Sequence, residues 1–330
     1  MAEEVWMLQT KKADFKQIGA RFRIDPVTAR IIRNRGIEGE AAIDRYLNGT
    51  LDDLYDPMLL KDMERAVSIL CEAVDTGKKI RIVGDYDIDG VCSTYILLQA
   101  FERLGSDVDF EIPDRIKDGY GINESIIEQA HADGVEVILT CDNGISAFHQ
   151  VELAKKYGMM VVITDHHEVP LDGEKEKIPP ADAVIDPKQA DCPYPFPEIC
   201  GAVVAYKLVQ VLYARRGVPQ MEWLDLLEFA AIATVGDVMK LQDENRILVK
   251  YGLKKMAQTK NLGLRRLAEK NNLDLGAITA YHIGFVIGPC LNAGGRLKTA
   301  KEALALLRAQ SEEEAERLAE ELKELNDTRK

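Results

Sequence analysis

The chain has 330 residues, 46% of them hydrophobic and 29% charged, enough to bury one large core or two smaller ones and too apolar to be disordered over most of its length. Its 42 lysines and arginines stand against 55 acids, a formal net charge of −13, which argues against a protein that coats nucleic acid through bulk electrostatics; any polyanion must be held by a local cationic site or by metal. The N-terminus MAEEVWMLQTKKADF has no apolar core of a signal peptide and no apolar run approaches the roughly 20 residues that cross a bilayer, so the expected location is cytoplasmic, and six scattered cysteines without a CxxC pair read as reduced thiols.

Residues 1–78 read as a polar helical segment, in which AAIDRYLNG and MERAVSILCEAVDTG each end in a helix-closing glycine. From Lys79 the pattern changes. KIRIV, VDFEI, VEVILT, MMVVIT and ADAVI are short runs rich in Val and Ile, mostly separated by helical patterns such as VCSTYILLQAFERLG and SAFHQVELAKKYG. Strand alternating with helix predicts an α/β fold over residues 79–240, a mostly parallel sheet with helices on both faces. LDGEKEKIPP (171–180) and the proline-rich DPKQADCPYPFPEICG (186–201) read as loops, followed by the helical GAVVAYKLVQVLYARRG and WLDLLEFAAIATVGD. Residues 241–330 read as a helical region, in which LRRLAEKN is a solvated helix face. The final SEEEAERLAEELKELNDTRK opens with a capping box, Ser311 three residues before Glu314, and aligns Ala315, Leu318, Leu322 and Leu325 in an apolar stripe. That stripe predicts a partner surface or a chain that continues.

In open α/β sheets ligands bind at the carboxyl ends of the strands. The residues just after the runs are therefore the first candidates. KIRIV is followed by Asp85, Asp87 and Asp89; VEVILTC by Asp142, Asn143 and Gly144; MMVVIT by Asp165, His166 and His167. Taken singly, an Asp between strand and helix reads as an N-cap. Acids at alternate positions of an extended backbone stand about 6–7 Å apart and repel by about 2–3 kcal/mol per pair at an effective dielectric of about 20. Three strand ends that gather acids and imidazoles into one crevice call for divalent cations. An EF-hand is rejected, because the twelfth position from Asp85 is Ile96 where that loop needs a glutamate, and a strand precedes it. LLEFAAIATV ends at Gly236 and Asp237, an acid at the negative end of a helix dipole, which a cation would offset.

With GDYDIDG, CDNG, TDHHEVP and ATVGDV in this order, the sequence resembles the DHH phosphoesterase superfamily and, within it, the RecJ-type exonucleases of single-stranded DNA; IPDRIKDGYG, DPKQADCPYPF and IGPCLNAGGRL are similar to that branch. The resemblance implies that Asp87, Asp89, Asp142, His166 and Asp237 hold two divalent ions. Asp85 and Asp165 would orient imidazoles or brace the loops, and His167 would contact the scissile phosphate. Four ligand carboxylates against two divalent cations leave a near-neutral site, and a mixed carboxylate and imidazole shell suits Mn²⁺, with Mg²⁺ as substitute. The implied reaction is two-metal hydrolysis of a phosphodiester from the 5′ end of single-stranded DNA. Arg115 and Tyr120 in IPDRIKDGYG, and Asn292 and Arg296 in IGPCLNAGGRL, would position the substrate or else scaffold turns. Implied partners are single-stranded DNA, a single-strand-binding protein and a helicase, with no membrane.

The chain departs from the pattern at Val83, where many of these proteins carry a histidine, and at Cys290 and Gly294, where an arginine and an alanine are usual. The resemblance also predicts a longer protein, in which a DHH-associated domain and an OB-fold follow. Two other readings stay open: a phosphodiesterase or phosphatase for short oligonucleotides, cyclic dinucleotides or pyrophosphate, and a catalytically lapsed replication scaffold.

Overall fold

All five Val- and Ile-rich runs form strands of one parallel sheet in the computed structural model, which describes residues 11–114, 121–297 and 300–329. The strands are β1 (Ile80–Val83), β2 (Val108–Glu111), β3 (Val137–Cys141), β4 (Met160–Thr164) and β7 (Ala183–Ile185); β5 (Leu171–Asp172) and β6 (Lys175–Glu176) form a small antiparallel hairpin inside the stretch expected to be a plain loop. The spatial order is β2-β1-β3-β4-β7, with Ile80 opposite both Val108 and Val137 and with Cys141 opposite Thr164.

Successive side chains point to opposite faces of a strand, so the sheet feeds two cores. Ile80, Ile82, Val137, Leu139, Cys141 and Val162 pack with residues of the helices Ile88–Arg103 and Gly201–Arg215. Val83, Ile138, Val161 and Ile163 meet Ile126, Ile127 and Val151 from the helices Glu124–Ala132 and Phe148–Lys156. Helices on both faces explain why the strands read as continuous apolar runs instead of alternating ones. Arg81 is the charged residue within β1, and it is buried: both oxygens of Asp109 accept from its guanidinium at 2.7 and 2.8 Å, and Asp133 accepts at 2.8 Å.

The chain leaves β1 for the edge strand β2, then returns on the other side of β1 as β3. The winding direction reverses there, and a crevice opens outside the carboxyl ends of β1 and β3.

The N-terminal segment is helical as expected, with helices Phe15–Phe22, Pro26–Asn34, Glu40–Asn48 and Met63–Thr76, the last closed by Gly77 at a left-handed φ of +68°. A buried polar network ties it down. Lys207 Nζ lies 3.0 Å from Glu244 Oε2 and donates to Tyr55 O at 3.1 Å, while the Tyr194 hydroxyl of the proline-rich loop donates to the other Glu244 oxygen.

At the other end, helices Leu262–Lys270, Gly288–Leu297, Lys301–Arg308 and Glu312–Arg329 pack together. The stripe expected to mark a partner surface or a chain that continues is used internally: Ala315, Leu318 and Leu322 are buried, and Leu325 packs on the core. Ser311 accepts the Glu314 N–H at 3.2 Å as a capping box requires, but the Glu314 carboxylate takes the Gln310 N–H instead of reaching back to Ser311. The charged side of LRRLAEKN is outward as expected, with Arg265 and Arg266 paired to Glu312 and Lys270 to Glu316 and Glu320. None of the six cysteines is in a disulfide, and no described helix is long and apolar enough to cross a membrane.

Candidate metal centre

The turn after β1 places the first three acids in different surroundings. Asp85 is buried, and its Oδ1 has no hydrogen-bond partner among the described residues; burial, and then the neighbouring Asp87, push its carboxyl up to about 7. Asp87 is the N-cap of Ile88–Arg103, accepting the N–H groups of Asp89 at 3.0 Å and Gly90 at 3.1 Å. Capping leaves its other oxygen for the crevice. Asp89, in the first helical turn, is fully buried, and its two oxygens accept the N–H groups of Gly201 at 2.7 Å and Ala202 at 2.8 Å, the N-terminus of the helix Gly201–Arg215. A helix N-terminus stabilises that carboxylate through oriented N–H groups and the macrodipole.

At the end of β3, Asp142 adopts φ +62°, a left-handed conformation uncommon outside glycine, and it is 2% exposed. Burial first, then Asp89 and Asp87, raise its carboxyl well above the usual range. Gly201 is obligatory beside it, since an added Cβ would stand 2.7 Å from the Asp142 Cβ. Asn143 braces the same end of the sheet, donating to Val83 O at 3.0 Å and Cys141 O at 2.9 Å and accepting from Ile122 N–H at 3.3 Å.

After β4, Asp165 organises the histidine pair. Its Oδ1 accepts the N–H groups of His166 at 2.8 Å and His167 at 3.2 Å and contacts His167 Nδ1 at 2.7 Å, and its Oδ2 accepts Ile145 N–H at 2.9 Å. Burial works against the Asp165 carboxylate, but the bond from His167 and its charge outweigh it, and the carboxyl is held below its usual range. Reciprocally, burial disfavours the His167 cation while the Asp165 bond favours it, and the ring is raised to about 9. His166 shifts the other way: burial lowers it, so it is neutral and able to ligate. Its Nε2 faces Asp142 at 3.0 Å, Asp89 at 3.4 Å and Asp237 at 3.9 Å. Asp237 closes the crevice from the C-terminus of the helix Leu227–Gly236, its carboxyl raised to about 7 by burial and then by Asp89.

Three groups result: Asp85, Asp87 and Asp142; Asp89, His166 and Asp237; and Asp142, His166 and His167, each offering donor atoms within 4.8 Å of one another. Acids this close and this buried favour protonation as protein alone, and the unpartnered Asp85 Oδ1 and His166 Nδ1 cost about 1–3 kcal/mol each. Divalent cations remove both costs. The mixed carboxylate and imidazole donor set fits them.

All five residues expected to ligate metal are in this crevice, with His167 and Asp165 beside them. Asp85, expected to serve the loop, also offers a carboxylate oxygen to the cluster, beside Asp87 and Asp142. Asn292 accepts the Ile88 N–H at 2.8 Å, so the contact seen for it braces the Asp87–Asp89 turn from behind; Gly295 lies against the same turn, its added Cβ 2.2 Å from Tyr86 O. Arg115 and Tyr120 lie outside the described residues, and of Arg296 only the helical backbone is described. Position 290 faces inward: Cys290 is fully buried in the main core, with Asn271 Nδ2 at 3.8 Å. Val83 is part of the second core. One acid was missed. Asp186, immediately after β7, is fully buried, accepts Lys188 N–H at 2.8 Å, and is raised to about 7 by burial and then Asp165. The strand-end rule applied to ADAVI would have found it.

Residues 79–234 match the DHH family, N-terminal domain, the stretch that carries the sheet and nearly all of the cluster. That stretch is a DHH-family domain. Among its relatives is the Bacillus subtilis single-stranded-DNA-specific exonuclease RecJ, 38% identical over 98% of this chain and 40% of the relative. The Thermus thermophilus RecJ structure in complex with Mn²⁺ superimposes with a TM-score of 0.79 at 32% identity, covering 96% of this chain and 44% of that one. The structure of the same protein with Mg²⁺ gives 0.68 at 30%, covering 96% and 41%. The chain spans about two fifths to a little over half the length of the curated relatives it matches.

Proposed function

We propose that the chain is the catalytic part of a metal-dependent exonuclease that hydrolyses single-stranded DNA from its 5′ end. The convergence of Asp87, Asp89, Asp142, His166 and Asp237 on one buried crevice carries this reading. The substrate comes from the similarity to the single-stranded-DNA-specific exonucleases.

In this reading those five residues hold two divalent ions, Mn²⁺ or Mg²⁺, and Asp85 supports the same pair. When bound, the ions supply an activated water nucleophile and charge stabilisation for in-line displacement at phosphorus. The protein contributes the rest. Asp89, anchored by two N–H groups of Gly201–Arg215, and Asp87, anchored as a helix cap, hold their oxygens rigidly on the cluster. Asp165 keeps His167 protonated and turned so that the cation can face a phosphate oxygen. Asn292 keeps the Asp87–Asp89 turn from shifting.

A long substrate rather than a dinucleotide is favoured by Tyr281, in the short helix Ala280–His282, and Phe285, in the π-helical turn Ile283–Ile287 that follows it; the two exposed rings stack at 4.8 Å, and Gly284 between them abuts Val235 of the helix that ends at Asp237. Ring faces of this kind accept bases without regard to sequence. The discriminating assay compares a 5′-labelled 30-mer with a dinucleotide and with pyrophosphate in Mn²⁺. Preferential loss of the 5′ label from the 30-mer supports the exonuclease. Faster turnover of dinucleotide or pyrophosphate transfers the site to small substrates, and absence of Mn²⁺ binding by calorimetry leaves a scaffold.

A further inference from the structure

A second concavity is lined by none of the residues of the metal crevice. It is a cavity of about 650 Å³ between the C-terminal half of Ile88–Arg103, the start of Leu227–Gly236 and the stretch from Lys255 to Leu262, a volume typical of small-molecule sites. Glu228 lines it and is 5% exposed. One of its oxygens accepts from the Thr259 hydroxyl at 2.7 Å; the other, Oε2, is buried with no partner among the described residues. A buried carboxylate oxygen left without a donor is costly, and the remedy is a ligand that brings N–H groups.

The rest of the lining says which ligand. Tyr95 and Phe229, their ring centroids 4.3 Å apart, give an aromatic wall, and Asn261 pins the Tyr95 hydroxyl at 3.1 Å. At the mouth, Lys255 and Lys260 share one carboxylate, Asp225, at 2.7 and 3.3 Å, so a cation there is in excess. Arg103 and Arg308 also line the cavity but are paired, with Glu222 and Glu102, so the positive charge in excess at the mouth is that of the two lysines. The combination is a carboxylate at the floor, buried aromatic side chains behind one wall and positive charge at the rim.

We propose that this cavity binds a guanine nucleotide, with the adjacent N1–H and N2–H donors of the base on Glu228 and the phosphate at Lys255 and Lys260. Among the bases, guanine presents two neighbouring donors that match a carboxylate, as the reverse of the arginine fork does. Adenine offers one amino group beside an acceptor. The site is independent of the reading of the metal crevice, because it uses none of those residues.

The test is calorimetric titration of the whole chain with GMP, AMP and inorganic phosphate in the presence of a chelator, so that no phosphate is held through metal. GMP is expected to bind saturably and at least about tenfold more tightly than AMP, with inorganic phosphate silent, and Glu228→Gln is expected to weaken GMP by about tenfold or more. Gln258→Trp, an exposed position on the lining, should block the cavity without entering the core and abolish GMP binding. Equal affinity for GMP and AMP, GMP binding untouched by both substitutions, or no saturable binding of GMP would each overturn the proposal. Loss of nuclease activity plays no part in these readouts, so a failure here and a failure of the exonuclease reading are told apart.

Discussion

Asp142→Asn is the sharpest probe of the metal centre, because it removes one charge while keeping the shape that Gly201 packs against. In the protein without metal, Asp142 shares space with Asp85 and Asp87, donor atoms lying within 4.8 Å, and two unit charges at that distance repel by about 3.5 kcal/mol at an effective dielectric of about 20. Proton uptake relieves part of this, leaving a net cost on the order of 1–3 kcal/mol. The sign follows from the raised carboxyl of Asp142: native stability is lost as pH rises from the unfolded value of 3.8 toward the higher folded one. The asparagine does not titrate. In chelator at pH 7.5 the variant should therefore melt higher than the parent, by about 2–6 °C at roughly 2 °C per kcal/mol, and the difference should shrink toward pH 4. Manganese should reverse the order. At a concentration about 100 times its Kd the parent gains about 2.7 kcal/mol, while the variant gains little. Differential scanning calorimetry with and without Mn²⁺ reads both effects. A variant that melts lower in chelator, or that Mn²⁺ stabilises as much as the parent, would refute the charge-crowding argument.

Gly201→Ala should push the N-terminus of Gly201–Arg215 away from Asp142 and strip Asp89 of its two N–H bonds, lowering Mn²⁺ affinity by about 10–100-fold; an unchanged titration isotherm would show the helix has no part in the site. His167→Ala should leave metal uptake intact and slow single-turnover hydrolysis by about 10²–10³-fold, whereas a parallel fall in metal stoichiometry would make His167 a ligand, as its place beside Asp142 and His166 permits. Glu228→Gln should raise stability at pH 8 by up to about 3 kcal/mol and leave it unchanged near pH 4, because burial lifts this carboxyl from 4.5 to about 7 and its folded-state cost grows as pH rises through that window. Parallel urea-denaturation curves for both forms across pH 4–8 would dispose of that assignment.

Much of the fold was legible because a buried parallel strand announces itself as a short β-branched run, and the acid that follows it is covalently adjacent and cannot be elsewhere. Asp85, Asp87, Asp89, Asp142, Asp165, His166 and His167 were found that way, and Asp186 obeys the same rule after ADAVI. The apolar stripe at Ala315, Leu318, Leu322 and Leu325 shows the limit. A stripe states that a face is buried and not what buries it, and here the neighbouring helices do.

What the order of residues determined by itself was therefore local: which segments extend, which coil, and which charges sit at their ends. What only the tertiary structure decided was company. Asp89 meets the N–H groups of Gly201 and Ala202 across 112 and 113 residues, Asn292 reaches back 204 residues to Ile88, and Glu228 lies under a cavity built from remote helices. Such contacts are set by how twisted sheet and helices close on one another, and periodicity along the chain carries no term for that distance.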